Sequence, residues 1–162
     1  MFRYFIVALV VLGLDQATKW LVVRNMNLFQ TIPLWEGVFH ITSHRNRGAA
    51  FGILQNQQWL FIVITIVVVS GITYYLLQLK ASQPLMSWSL ALILGGSIGN
   101  LIDRVRLGEV VDFLDFRLIQ YPIFNVADSA IVVGVGIMIF LTIRQPSEKE
   151  DSLTTKEAGD SQ

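Results

Sequence analysis

From Trp59 to Leu79 the chain runs 21 residues without a charged side chain. As a helix, such a run rises roughly 30 Å at about 1.5 Å per residue, the thickness of a bilayer's hydrocarbon core. Backbone N–H and C=O groups in hydrocarbon find no water, so a spanning segment must satisfy them internally, and a helix does so. Three more apolar stretches follow the same logic: about Phe5 to Val23, interrupted by Asp15 and Lys19, then Leu85 to Ile102 and Ile123 to Ile143. The sequence therefore predicts an all-α membrane protein with four transmembrane helices. Charged residues make up only 15% of the 162, against about 25% in soluble domains. Trp59, Tyr74, Tyr75 and Trp88 fall near the ends of the middle two stretches, where aromatic rings favour the membrane interface.

Arg3 could flank a cleaved signal peptide, but Asp15-Gln16-Ala17-Thr18-Lys19-Trp20 offers no clear small-x-small cleavage site. An uncleaved first helix is expected. Four spans put both termini on one side of the membrane. The connection Lys80–Pro84 is short, while Arg24–Gln58 and Arg104–Pro122 are long and share the opposite face. Lysines and arginines are too evenly divided between the two faces to fix the orientation. Val38 to Thr42 alternates and reads as a strand, which predicts a small sheet in the first long loop against the membrane surface. Residues 1–144 are expected to form one membrane domain, and the polar segment 145–162 a disordered tail. With no cysteine, thiolate nucleophiles and cysteine metal sites are excluded. Twelve basic and twelve acidic residues cancel, which gives no pull toward nucleic acid.

Ionisable and amide side chains are expensive at membrane depth and usually face a cavity or a partner. Asp15 and Lys19 lie four apart on the first helix and can pair, either as an interfacial anchor or in shaping a site. Asn46-Arg47-Gly48-Ala49-Ala50-Phe51 alone reads as a turn. Gly95 and Gly99 form a small-xxx-small pair that lets another helix approach closely. Asn100 and Asp103 end that helix near one face, and Arg104 adds a donor fork suited to a carboxylate or carbonyl. Asp112 stands among bulky apolar residues, an odd setting for a solvated loop acid. Asn125 and Asp128 suit an N-cap and a first-turn acid, so capping competes with catalysis there.

Asp112 and Asp128 can converge at one membrane surface. Two carboxylates in one site cannot both ionise easily, so one keeps a proton. The ionised member can take a proton from water while the other donates to a carbonyl oxygen. Peptide hydrolysis by such a pair needs no metal, cofactor or covalent intermediate. Serine chemistry has less support, because no serine has an evident base beside it. His40 and His44 are four apart but lack the glutamate and the helix of an HExxH zinc site.

Taken in order, these segments resemble the lipoprotein signal peptidase family, signal peptidase II. The resemblance rests on Asp15 to Lys19, Asn46 to Phe51, Gly99-Asn100 with Asp103-Arg104, Val111-Asp112-Phe113, and Phe124-Asn125-Val126-Ala127-Asp128. It covers nearly everything up to about Ile143. The resemblance implies a multi-pass bacterial inner-membrane aspartyl endopeptidase with its β element and site at the extracytoplasmic face. Its implied substrates are diacylglyceryl-modified prolipoproteins entering from membrane lipid, with no obligate protein partner. It implies Asp112 and Asp128 as the catalytic pair and Asn46, Asn100, Arg104 and Asn125 as substrate-binding groups. Asp15, Lys19, Gly48, Gly99, Asp103 and Ala127 are then supports of the site. A proton- or ion-coupled transporter would need its acids nearer mid-membrane than these, and a membrane adaptor would tolerate loss of Asp128.

Overall fold

The computed structural model describes residues 2–48, 57–79, 83–119 and 121–144. Four helices carry the fold: α1 (Phe2–Asn25), α2 (Gln58–Gln78), α3 (Pro84–Leu107) and α4 (Val126–Arg144). Each is long and apolar enough to cross a membrane. They correspond to the four apolar stretches, although α4 starts three residues later than Ile123 and α3 runs on through its basic end to Leu107. Gly108 stops α3 in the left-handed conformation (φ 72°), its N–H bonding the carbonyl of Arg104.

Helix α3 is the axis of the bundle, packing against α1, α2 and α4. Small residues make this possible. A side chain at Gly95 would meet the backbone of Ala8 on α1, and one at Gly96 the backbone of Ala127 on α4. Ser89 adds a 2.7 Å hydrogen bond to the carbonyl of Gly134 across the α3–α4 seam. Tyr4, Ala8, Leu76, Leu79, Leu90, Ala91 and Leu94 fill the core at one end of the bundle. The outer faces leave Val67, Val132 and Ile143 more than half exposed, as hydrocarbon-facing side chains should be.

At the other end sits an antiparallel sheet of three strands in the order β1 (Thr31–Trp35), β2 (Phe39–Asn46) and β3 (Val110–Phe116). The strand expected at Val38–Thr42 begins one residue later, at Phe39, as the first half of β2; Val38 belongs to the preceding turn. The sheet is larger than the β element expected in the first long loop, because β3 comes from the second long loop, for which the sequence predicts no strand. β3 pairs with β2, with Asp112 opposite His44 and Val110 opposite Asn46. A second core of Val22, Val111 and Phe113, with Val126 packed beside it, fastens the sheet to α1 and α4. This joint holds a strand-borne acid against a helix N-terminus. Ala49, Ala50, Phe51 and the segment 145–162 lie outside the described residues.

Candidate active site

Asn125 is the organising residue. It precedes α4 and makes a reciprocal cap: its Oδ1 accepts the N–H of Asp128 at 2.9 Å, and its own N–H donates to Asp128 Oδ2 at 3.2 Å. That exchange fixes the Asp128 carboxylate in the first turn of α4. The side-chain amide of Asn125 meanwhile donates to Asp112 Oδ1 at 2.7 Å. One residue thus holds both carboxyl groups. Capping and site-building, which compete in the sequence, are one arrangement here.

Each carboxyl has a second amide donor. Asn46, at the end of β2, donates to Asp112 Oδ2 at 3.1 Å, and Asn100, on α3, donates to Asp128 Oδ1 at 2.7 Å. Asp112 is 1% exposed. Burial, and after it the negative charge of Asp128, push its pKa from 3.8 up to about 7, against the pull of the amides of Asn46 and Asn125. Its carboxyl therefore keeps a proton far above the ordinary carboxylate range. A proton-bearing acid beside a second carboxylate can perform general acid and general base chemistry on one substrate.

Behind the pair lies a buried cluster. Lys19 donates to Asp15 Oδ2 at 2.9 Å, Asp103 Oδ2 at 3.0 Å and Asn100 Oδ1 at 2.9 Å. Asp15 is fully buried and Lys19 nearly so, so their pair is no interfacial anchor. The other oxygen of Asp15 accepts the N–H of Ala127 at 2.9 Å, satisfying one orphan donor of α4 and placing negative charge at its positive end. Asp103 accepts the N–H of Val111 at 3.1 Å and so holds β3 one residue before Asp112. Gly99 leaves room for this cluster: a Cβ there would stand 2.5 Å from Asp15 Oδ2. Gly48 donates its N–H to Asn46 Oδ1 at 2.9 Å, which turns that amide's NH2 group toward Asp112.

Arg104 stands apart. Its guanidinium lies 5.1 Å from the ring centroid of Phe61 and bonds only the carbonyl of Asn100, at 3.4 Å, among the described residues. It makes no hydrogen bond or ion pair with either acid of the pair. Gln16 was not singled out by its sequence, although its amide reaches Asp103 Oδ1 at 3.0 Å and the carbonyl of Gly99 at 3.2 Å. An amide beside Asp15 in an apolar helix was the available signal. The histidines belong to β2, where buried His40 accepts the N–H of Gly37 at 3.2 Å. Asp115, the remaining acid of β3, accepts from Thr42 at 2.6 Å and from Arg117 at 3.1 Å, away from the pair.

Known proteins resemble this chain in sequence and in fold. Residues 7–144 match the family described as signal peptidase (SPase) II. The chain is 58% identical over 136 residues to a lipoprotein signal peptidase of Brevibacillus brevis, covering 84% of this chain and 91% of the relative. A lipoprotein signal peptidase of Halalkalibacterium halodurans is 57% identical over 143 residues, covering 87% of this chain and 92% of the relative. A solved structure described as a bacterial membrane enzyme at 2.3 Å superposes with a TM-score of 0.83 at 33% identity, covering 91% of this chain and 94% of that one.

Proposed function

The chain belongs to the signal peptidase II family, as a lipoprotein signal peptidase and aspartic peptidase of the bacterial membrane, and on that premise we propose that Asp112 and Asp128 are its catalytic pair. The substrate is a prolipoprotein whose cysteine already carries diacylglycerol, and the bond cut is the one preceding that cysteine. The observation that carries this reading is the double use of Asn125, whose side-chain amide bonds Asp112 while its backbone N–H bonds Asp128. Two acids tethered to one residue at the end of a membrane helix suit a scissile bond that emerges from the bilayer's outer face.

Asp112 bears the shared proton and Asp128 is the base. Asp128 takes a proton from a water molecule lying between the two acids as its oxygen attacks the carbonyl carbon. Asp112 gives its proton to the carbonyl oxygen, forming a neutral tetrahedral diol. Return of a proton to the leaving nitrogen breaks the C–N bond, releasing the signal peptide's new carboxyl terminus and the lipidated cysteine's free amine. Arg104 and the free valences of Asn46 and Asn100 hold the peptide backbone against this pair. The acyl chains stay in lipid between the helices, so the substrate enters sideways without leaving the membrane. Residues 1–144 constitute the catalytic unit in this reading, with 145–162 a tail outside it.

Purified protein incubated with a diacylglyceryl-modified prolipoprotein tests the assignment. Wild type cleaves before the modified cysteine and ignores the unmodified precursor. Asp112→Asn and Asp128→Asn insert and fold but give no product, while Asp115→Asn, altered in an acid bonded elsewhere, cleaves normally. Normal processing by either of the first two variants removes that acid from the mechanism.

A further inference from the structure

An asparagine side chain can be turned over with little change in shape, so its surroundings decide which end faces which neighbour. At Asn100 that choice decides whether Asp128 meets a donor or another acceptor. Asn100 Nδ2 lies 2.7 Å from Asp128 Oδ1, and Asn100 Oδ1 lies 2.9 Å from Lys19 Nζ. Turned over, the amide would set NH2 against an ammonium and oxygen against a carboxyl oxygen, two repulsive contacts in a buried site.

We propose that Lys19 is a positioning residue of the reaction, locking the Asn100 amide so that its NH2 group serves Asp128. The inference rests on the catalytic pair proposed above. Lys19 suits the task because its ammonium cannot turn away: its three protons have three acceptors, on Asp15, Asp103 and Asn100. Gly99 gives the Asp15 carboxylate its place, and Gln16 braces Asp103. Asn125 Nδ2 also approaches Asn100 Oδ1, at 3.1 Å, but the same nitrogen has a shorter bond to Asp112 at 2.7 Å and a longer one to the Val111 carbonyl at 3.3 Å. Two hydrogens cannot serve three acceptors fully, so Asn125 alone holds the amide weakly. Lys19 thereby acts on a reacting group through one intermediary, without touching substrate.

Removing Lys19 alone strands two buried carboxylates and endangers the fold. The test therefore uses Lys19→Met combined with Asp15→Asn, which leaves the cluster's formal charge unchanged and keeps an oxygen for the Ala127 N–H. Steady-state cleavage of a diacylglyceryl-modified peptide by this double variant should show kcat lowered by about 10- to 100-fold with KM within about twofold, in a protein that is still folded at the assay temperature because Asp103 keeps the Gln16 amide and the Val111 N–H as partners. A folded double variant with wild-type kcat, or one whose loss lies wholly in KM, overturns the proposal. Asn100→Asp supplies a second reading, since it keeps an acceptor for Lys19 but sets a carboxyl oxygen, in place of the amide NH2, against Asp128. It should lose kcat to a similar degree while remaining folded; an active Asn100→Asp enzyme overturns the proposal independently. Failure of the catalytic-pair reading looks different, because there Asp112→Asn or Asp128→Asn still cleaves.

Discussion

Replacing Asp112 by asparagine should stabilise the protein in alkali and destabilise it in acid. The Asp112 carboxyl is raised from 3.8 to about 7 in the fold. Below about pH 4 it is protonated whether the chain is folded or unfolded, and its burial as an acid costs nothing through ionisation. As pH rises from about 4 toward 7 the unfolded chain gives up this proton and the folded one does not, so stability falls; above about 7 the loss is complete. At about 1.4 kcal/mol per unit, the full penalty is about 4 kcal/mol. Asparagine removes the titration but sets an NH2 group against the donor of either Asn46 or Asn125, which costs about 1–2 kcal/mol. The balance is a gain of about 2–3 kcal/mol at pH 8 and a loss of about 1–2 kcal/mol at pH 4, crossing near pH 5. For a chain of this size that is a shift of several degrees in melting temperature, with opposite signs at the two ends. Thermal unfolding of both proteins in detergent micelles, followed by tryptophan fluorescence from pH 4 to 8, measures it. A difference that stays constant across that range would refute the claim that Asp112 is held neutral by its surroundings.

Cleavage should slow as pH rises through about 7, because Asp112 then loses the proton that it must donate; a rate–pH profile flat to pH 9 contradicts this. Gly99→Ala pushes a methyl group toward Asp15 Oδ2 and should cost about 1–3 kcal/mol together with activity, whereas Gly136→Ala, with nothing within 4 Å of the added carbon, should unfold at or slightly above the wild-type temperature. Chelators should leave the rate of lipoprotein cleavage unchanged, since the proposed chemistry uses two carboxyls and water; inhibition reversed by an added divalent ion contradicts it.

The four helices were legible because uncharged apolar runs of membrane length have few other solutions. β3 was not, and its burial explains why: Val110 through Phe113 are all buried, so the strand shows no alternation of apolar and polar residues. Its pairing partner lies across α2 and α3 in the chain, beyond any local signal. The acids of the site were visible as misfits among apolar neighbours. Their mutual placement was not, because it depends on Asn125 reaching an acid on a separate strand. Asp15 and Lys19 show the same limit. Spacing of four makes a pair on any helix surface, and only Asp103 and Asn100, on another helix, distinguish a buried brace from a surface anchor.

The reciprocal bonds between Asn125 and Asp128 have a consequence for the order in which the enzyme comes to life. The first turn of the last span cannot close without drawing its acid into register, and the strand-borne acid gains its amide partner only when that turn docks. In the mechanism proposed above, hydrolysis therefore requires a docked fourth helix as well as the strand.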